Sequence, residues 1–151
     1  MRDGDVVVLT SSTTSVSGTP AFSATTTPTR SSMTISIETL LERNMREVFG
    51  EHDAVKRQAA VAVLFTDHCV FIGPDGRHEG RSAIADAAAA IQQRFPAFTY
   101  SMLNPPQSID RVGRLAWASG PPDAPRKVTG MDIVVVREGR IASLYTFLDR
   151  A

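Results

Sequence analysis

The stretch Val128-Thr129-Gly130-Met131-Asp132-Ile133-Val134-Val135-Val136-Arg137, followed by Glu138-Gly139 and then Arg140-Ile141-Ala142-Ser143-Leu144-Tyr145-Thr146-Phe147, decides how the rest of the chain is read. Two β-branched, apolar runs separated by a two-residue glycine turn predict a hairpin of long strands, Val128 to Arg137 and Ile141 to Phe147. One residue breaks the first run. Asp132 shares its strand face with Gly130, Val134 and Val136, so a carboxyl group stands on a face that is otherwise apolar or small.

Upstream of this hairpin the pattern predicts further strands at Leu115 to Ser119, Phe98 to Leu103 and Cys69 to Ile72. The last of these turns through Gly73-Pro74-Asp75-Gly76 into a short return at Arg77 to Glu79. Three amphipathic helices are expected between and before them. The first covers roughly residues 36 to 49, with Thr34 or Ser36 as cap and Gly50 as stop; the second runs from Ala54 to about Phe65 behind Asp53. The third runs from about Ser82 to Phe95 and ends at Pro96. Helices grouped on one side of a curved, mostly antiparallel sheet make an α+β domain.

Residues 1–33 read as a disordered tail, because from Thr10 to Ser32 nearly every residue is Ser, Thr, Ala, Gly or Pro. The domain is expected over residues 34–151. Met33-Thr34-Ile35-Ser36-Ile37-Glu38 has the character of a natural start, and truncation to Met33 is expected to leave the melting temperature unchanged.

The 16 Lys and Arg residues balance 16 Asp and Glu. No net field therefore draws the chain to nucleic acid or an anionic membrane. No stretch reaches the roughly 18 to 20 apolar residues of a membrane span. The lone Cys69 forms no internal disulfide, which makes the cytoplasm the default location. His52, His68 and His78 match no ligand spacing, and neither a metal nor another cofactor is expected.

From Ile35 to Arg150 the chain resembles the SnoaL-like branch of the nuclear transport factor 2-like superfamily, which includes polyketide cyclases, ketosteroid isomerases and limonene epoxide hydrolase. The match rests on Val48-Phe49-Gly50-Glu51-His52-Asp53, on Phe71-Ile72-Gly73-Pro74-Asp75-Gly76 with Glu79-Gly80-Arg81-Ser82-Ala83-Ile84, and on Leu115-Ala116-Trp117, Thr129-Gly130-Met131-Asp132-Ile133 and Gly139 to Asp149. The resemblance implies a cystatin-like, cone-shaped α+β barrel whose open end holds a small hydrophobic molecule, and a homodimer packed through the outer face of the sheet. It implies no single reaction.

Within that fold Asp132 is the expected general acid or base, because desolvation raises a carboxyl pKa toward neutrality. The competing reading is a carboxylate on a solvated face, paired with an arginine. Tyr145 is the second catalytic candidate, as a donor to a ligand carbonyl; the competing reading is a hydroxyl that satisfies a local structural need. Met45, Phe49, Phe71, Trp117, Ser119, Val134 and Phe147 are expected to line the pocket, with His52 at its entrance. The Trp117 indole wants an acceptor when buried, and Asp132 can supply one. Gly73 stands where the resemblance implies an isomerase's catalytic base, so that carboxylate is missing from the sequence. Three functions remain open: an isomerase- or cyclase-type enzyme acting on a small apolar carbonyl compound, a non-catalytic binder of a hydrophobic metabolite, and a dimeric accessory protein with a filled cone.

Overall fold

The computed structural model describes residues 34–149; the expected tail over residues 1–33 and the start at Met33 lie outside the described residues. Helix α1, Ile37–Arg43, begins where the Ser36 side chain accepts from the Thr39 amide at 3.1 Å. It continues as a π-helical turn, Asn44–Phe49, and stops at Gly50. The sequence predicts an unbroken α-helix here. The difference has a physical reason, because the buried positions Leu40, Asn44 and Val48, and likewise Leu41, Met45 and Phe49, recur every four residues. An α-helix repeats every 3.6 residues and would rotate such a stripe off the core, whereas a wider i→i+5 turn holds it there.

Helix α2, Ala54–Leu64, is capped by Asp53, whose carboxylate accepts from the Lys56 amide at 2.9 Å. Helix α3, Arg81–Arg94, ends just before Phe95 and Pro96. Among the described residues no helix is long and apolar enough to cross a membrane.

Seven strands form one mixed, mostly antiparallel open sheet: β1 (Phe65–Gly73), β2 (Gly76–Glu79), β3 (Thr99–Met102), β4 (Gln107–Ile109), β5 (Val112–Gly120), β6 (Val128–Arg137) and β7 (Arg140–Leu148). Their order is β2-β1-β7-β6-β5-β3, with β4 paired to the start of β5. Strand β4 is absent from the sequence reading, since three exposed polar-to-apolar residues carry no periodic signal. Strands β1 and β7 run parallel and the other described pairs antiparallel, in agreement with the mostly antiparallel sheet expected.

The hairpin of β6 and β7 turns at Glu138 and Gly139, both with positive φ (54° and 78°), as a two-residue turn of this hand requires. One residue further along, the ladder slips: Val136 faces Ile141, but Val135 faces Ser143, leaving Ala142 as a bulge. The three helices cover one face of the sheet. Leu40, Leu41, Val61, Leu64 and Ile84 pack there against Phe65, Leu115, Val134 and Leu144, all essentially without solvent exposure.

Candidate active site

The alternation of β6 sends Gly130, Asp132, Val134 and Val136 to the covered face and Met131, Ile133 and Val135 to the outer one. Asp132 is consequently only 6% exposed. Two donors from neighbouring strands meet its Oδ1. The Trp117 indole N–H donates at 3.0 Å and the Thr146 hydroxyl at 2.8 Å. Thr146 faces Asp132 directly across the β6–β7 ladder, and Trp117 lies diagonally on β5.

Gly130 makes the indole contact possible. It sits opposite Trp117, and a methyl group on it would stand 2.6 Å from the indole ring and 2.6 Å from the Phe147 carbonyl oxygen. The ring therefore lies across a bare backbone and carries its N–H to the carboxylate. Both donors converge on Oδ1, and among the described residues Oδ2 receives no hydrogen bond.

Asp132 lies on the wall of a cavity of about 280 Å³. Met45 and Phe49 from the π-helical turn, Phe71 from β1, and Trp117 and Ser119 from β5 form its interior. Ile91, Phe95 and Phe98, and Pro74 and Asp75 of the β1–β2 turn, also line it. Burial pushes the Asp132 carboxyl up to about 6, against the opposing pull of the Thr146 and Trp117 hydrogen bonds. A carboxyl group in that range holds or releases a proton near neutral pH.

Tyr100 of β3 is a cavity residue that the sequence reading missed. Its ring meets Trp117 edge to face at 5.4 Å, and burial, with the Asp132 charge adding, pushes its hydroxyl up to about 12. Tyr100 therefore remains a neutral donor. Its strand reads as a short, half-exposed segment, and only pairing with Ser119 on β5 brings the ring inward.

Asp75 is the second. A side chain on Gly73 would begin 3.6 Å from the Asp75 Oδ1, so the turn supplies a carboxylate beside the position that glycine leaves empty. Asp75 also lies 3.5 Å from the His78 Nε2, and the His78 ring stacks on Phe71 at 5.4 Å.

Three expected pocket residues and the second catalytic candidate stand elsewhere. Tyr145 and Phe147 project from the outer face, 36% and 59% exposed, and neither reaches the cavity. The bulge at Ala142 is the cause, because it shifts the alternation of β7 by one residue: Ile141 faces the core while Ser143, Tyr145 and Phe147 face outward. Val134 is fully buried beneath the helices rather than on the cavity wall, and His52 is exposed in the loop before α2. Among the described residues no three histidines, cysteines or carboxylates cluster in a way that could hold a metal ion.

The sequence profile of the SnoaL-like domain matches residues 42–144, and the chain belongs to that family. Among solved structures it is similar to a provisionally named isomerase of the SnoaL-like family from Agrobacterium tumefaciens strain C58, with a TM-score of 0.70 and 26% identity, over 74% of this chain and 96% of that one. It is also similar to a provisionally named SnoaL-like polyketide cyclase from Jannaschia sp. CCS1 (TM-score 0.61, 13% identity, 73% of this chain and 83% of that one). A provisionally named ketosteroid isomerase from Kribbella flavida DSM 17836 shares the fold as well (TM-score 0.59, 13% identity, 76% and 78%). No curated protein matches the sequence. The fold is thus the cone-like α+β arrangement of the nuclear transport factor 2-like proteins.

Proposed function

We propose that the cavity takes a small, largely apolar carbonyl compound and that Asp132 exchanges a proton with it, as general acid or base. One observation supports this above the others: an ionisable carboxyl, 6% exposed, is held by two donors on one oxygen, receives none on the other among the described residues, and lines a largely apolar cavity. The Tyr100 hydroxyl takes the orienting role expected of Tyr145, and Asp75 offers a second carboxylate on the same wall. The isomerase and cyclase names of the similar structures agree with such chemistry. The cavity, close to the lower end of the roughly 300–1,000 Å³ common for ligand sites, suits a molecule of one or two rings.

Exchange of α-hydrogens for deuterium is the simplest proton transfer such a site can perform. Cyclohexanone, acetophenone and 2-tetralone would be incubated in D2O and followed by proton NMR. The protein is expected to accelerate exchange for at least one, with a pH dependence inflecting near about 6. Equal acceleration by Asp132→Asn would refute the role given to Asp132. Ligand-induced stabilisation without any exchange would instead favour a binder that performs no reaction.

The outer face of the sheet, with Tyr145, Phe147 and the half-buried Met131 and Ile133, supports a homodimer formed through that face. Light scattering is expected to give twice the chain mass, and Phe147→Lys to give a monomer.

A further inference from the structure

Four ionisable groups stand on the cavity wall, and they are not equivalent. Asp132 is buried and held by Trp117 and Thr146. Tyr100 is a phenol. Asp75 has the His78 imidazole 3.5 Å away as a potential counter-charge. Arg94 alone among them carries a permanent charge, and among the described residues no carboxylate pairs with it.

The Arg94 guanidinium also lies over an aromatic ring. Its central carbon stands 5.2 Å from the centroid of the Phe95 ring, and Phe95 rests against Phe98 at 4.8 Å, both rings being part of the cavity wall. A basic residue in the last turn of α3 is favoured by the carbonyl ends of the helix, and that accounts for a cation in this region. It does not account for the cation being laid over the aromatic rim of a cavity. A guanidinium stacked on a ring still presents its N–H edge, the edge that receives a carboxylate in two parallel hydrogen bonds.

We infer that the ligand of this cavity is an amphipathic organic carboxylate, its apolar body against Phe49, Phe71, Trp117 and Phe98 and its anionic group at Arg94 on the rim. The inference rests on the reading that the cavity takes a small molecule, and it narrows the carbonyl compound to one that also carries an acid group.

The test uses two probes of one shape, 2-naphthoate and 2-naphthamide, titrated calorimetrically into the full chain at pH 7 and low ionic strength. The wild type is expected to bind naphthoate about fivefold more tightly, a modest factor because Arg94 is exposed, with the advantage shrinking as salt is added. Arg94→Gln should lose that advantage while keeping its affinity for naphthamide. Arg94→Lys should keep part of it, since the charge survives and the planar fork does not. Asp75→Asn, which removes a negative charge lining the same cavity, should tighten naphthoate binding relative to naphthamide. Equal affinities in the wild type, or a naphthoate preference that survives Arg94→Gln, would overturn the inference and leave the small-molecule cavity standing. Binding of neither probe would count against both.

Discussion

Replacing Asp132 by Asn removes the titration and little else. The Asn oxygen can take the Oδ1 position and keep both the indole and the hydroxyl donors, with its NH2 group in place of Oδ2. In the folded protein the carboxyl is pushed up to about 6 from an ordinary value of 3.8. At about 1.36 kcal/mol per unit, that difference amounts to about 3 kcal/mol. The sign follows from proton linkage: a folded pKa above the unfolded one means that the folded chain binds the proton more tightly. This stabilisation is complete below about pH 4, drains away as pH rises toward about 6, and is absent above. Asp132→Asn does not suffer the loss. At pH 4 the two proteins should be equally stable, and at pH 8 the variant should be the more stable by about 3 kcal/mol, or on the order of 12 °C in melting temperature for a domain of this size. Urea titrations followed by far-ultraviolet circular dichroism at both pH values measure the difference, and the remaining carboxylates cancel because both proteins carry them. A stability difference that stays constant between pH 4 and pH 8 would refute the claim that Asp132 is desolvated.

Thr146→Val removes the 2.8 Å donor and should raise the Asp132 pKa further, read as a later midpoint in a carbon-13 NMR titration of the carboxyl; an unmoved midpoint would show the hydroxyl to be incidental. Gly130→Ala forces a methyl group toward the indole and should cost about 1–3 kcal/mol, with Trp117 emission shifting as its ring is displaced. Tyr145→Phe should leave naphthamide affinity unchanged, whereas a loss of about tenfold would place that hydroxyl in the cavity after all. Ser36→Ala deletes the cap of α1 and is expected to cost about 1 kcal/mol in urea unfolding.

Much of the fold was legible because its signals are local. Ser36, Asp53 and Pro96 mark helix ends, and Glu138-Gly139 marks a hairpin, by backbone chemistry that operates within a few residues. Asp132 was legible for a similar reason, since a carboxyl amid valines stands out in a period-two pattern, and Trp117 followed as the nearest indole in want of an acceptor. What failed depended on register. Counted from the Glu138-Gly139 turn without interruption, the ladder would set Tyr145 opposite Asp132. The bulge at Ala142 advances β7 by one residue and sets Thr146 there instead. A small residue in a strand gives no sign that it is bulged. Tyr100, Asp75 and Arg94 were missed because each reaches the cavity from a strand edge, a turn or a helix end, where hydrophobic periodicity says nothing about direction.

The place of β7 in the sheet has a consequence for how the chain acquires this site. Strands β2 and β1 form one ribbon, β6, β5, β4 and β3 another, and β7 alone joins them, pairing with residues some 70 positions earlier. Contacts that distant in the chain close slowly, because the intervening segment must surrender its freedom before anything is gained. Phe71 arrives with the first ribbon and Asp132 with the second, so neither half carries a binding site by itself. The hollow between them comes into being only when that single strand docks, which makes its docking the step at which a folded chain becomes a competent one.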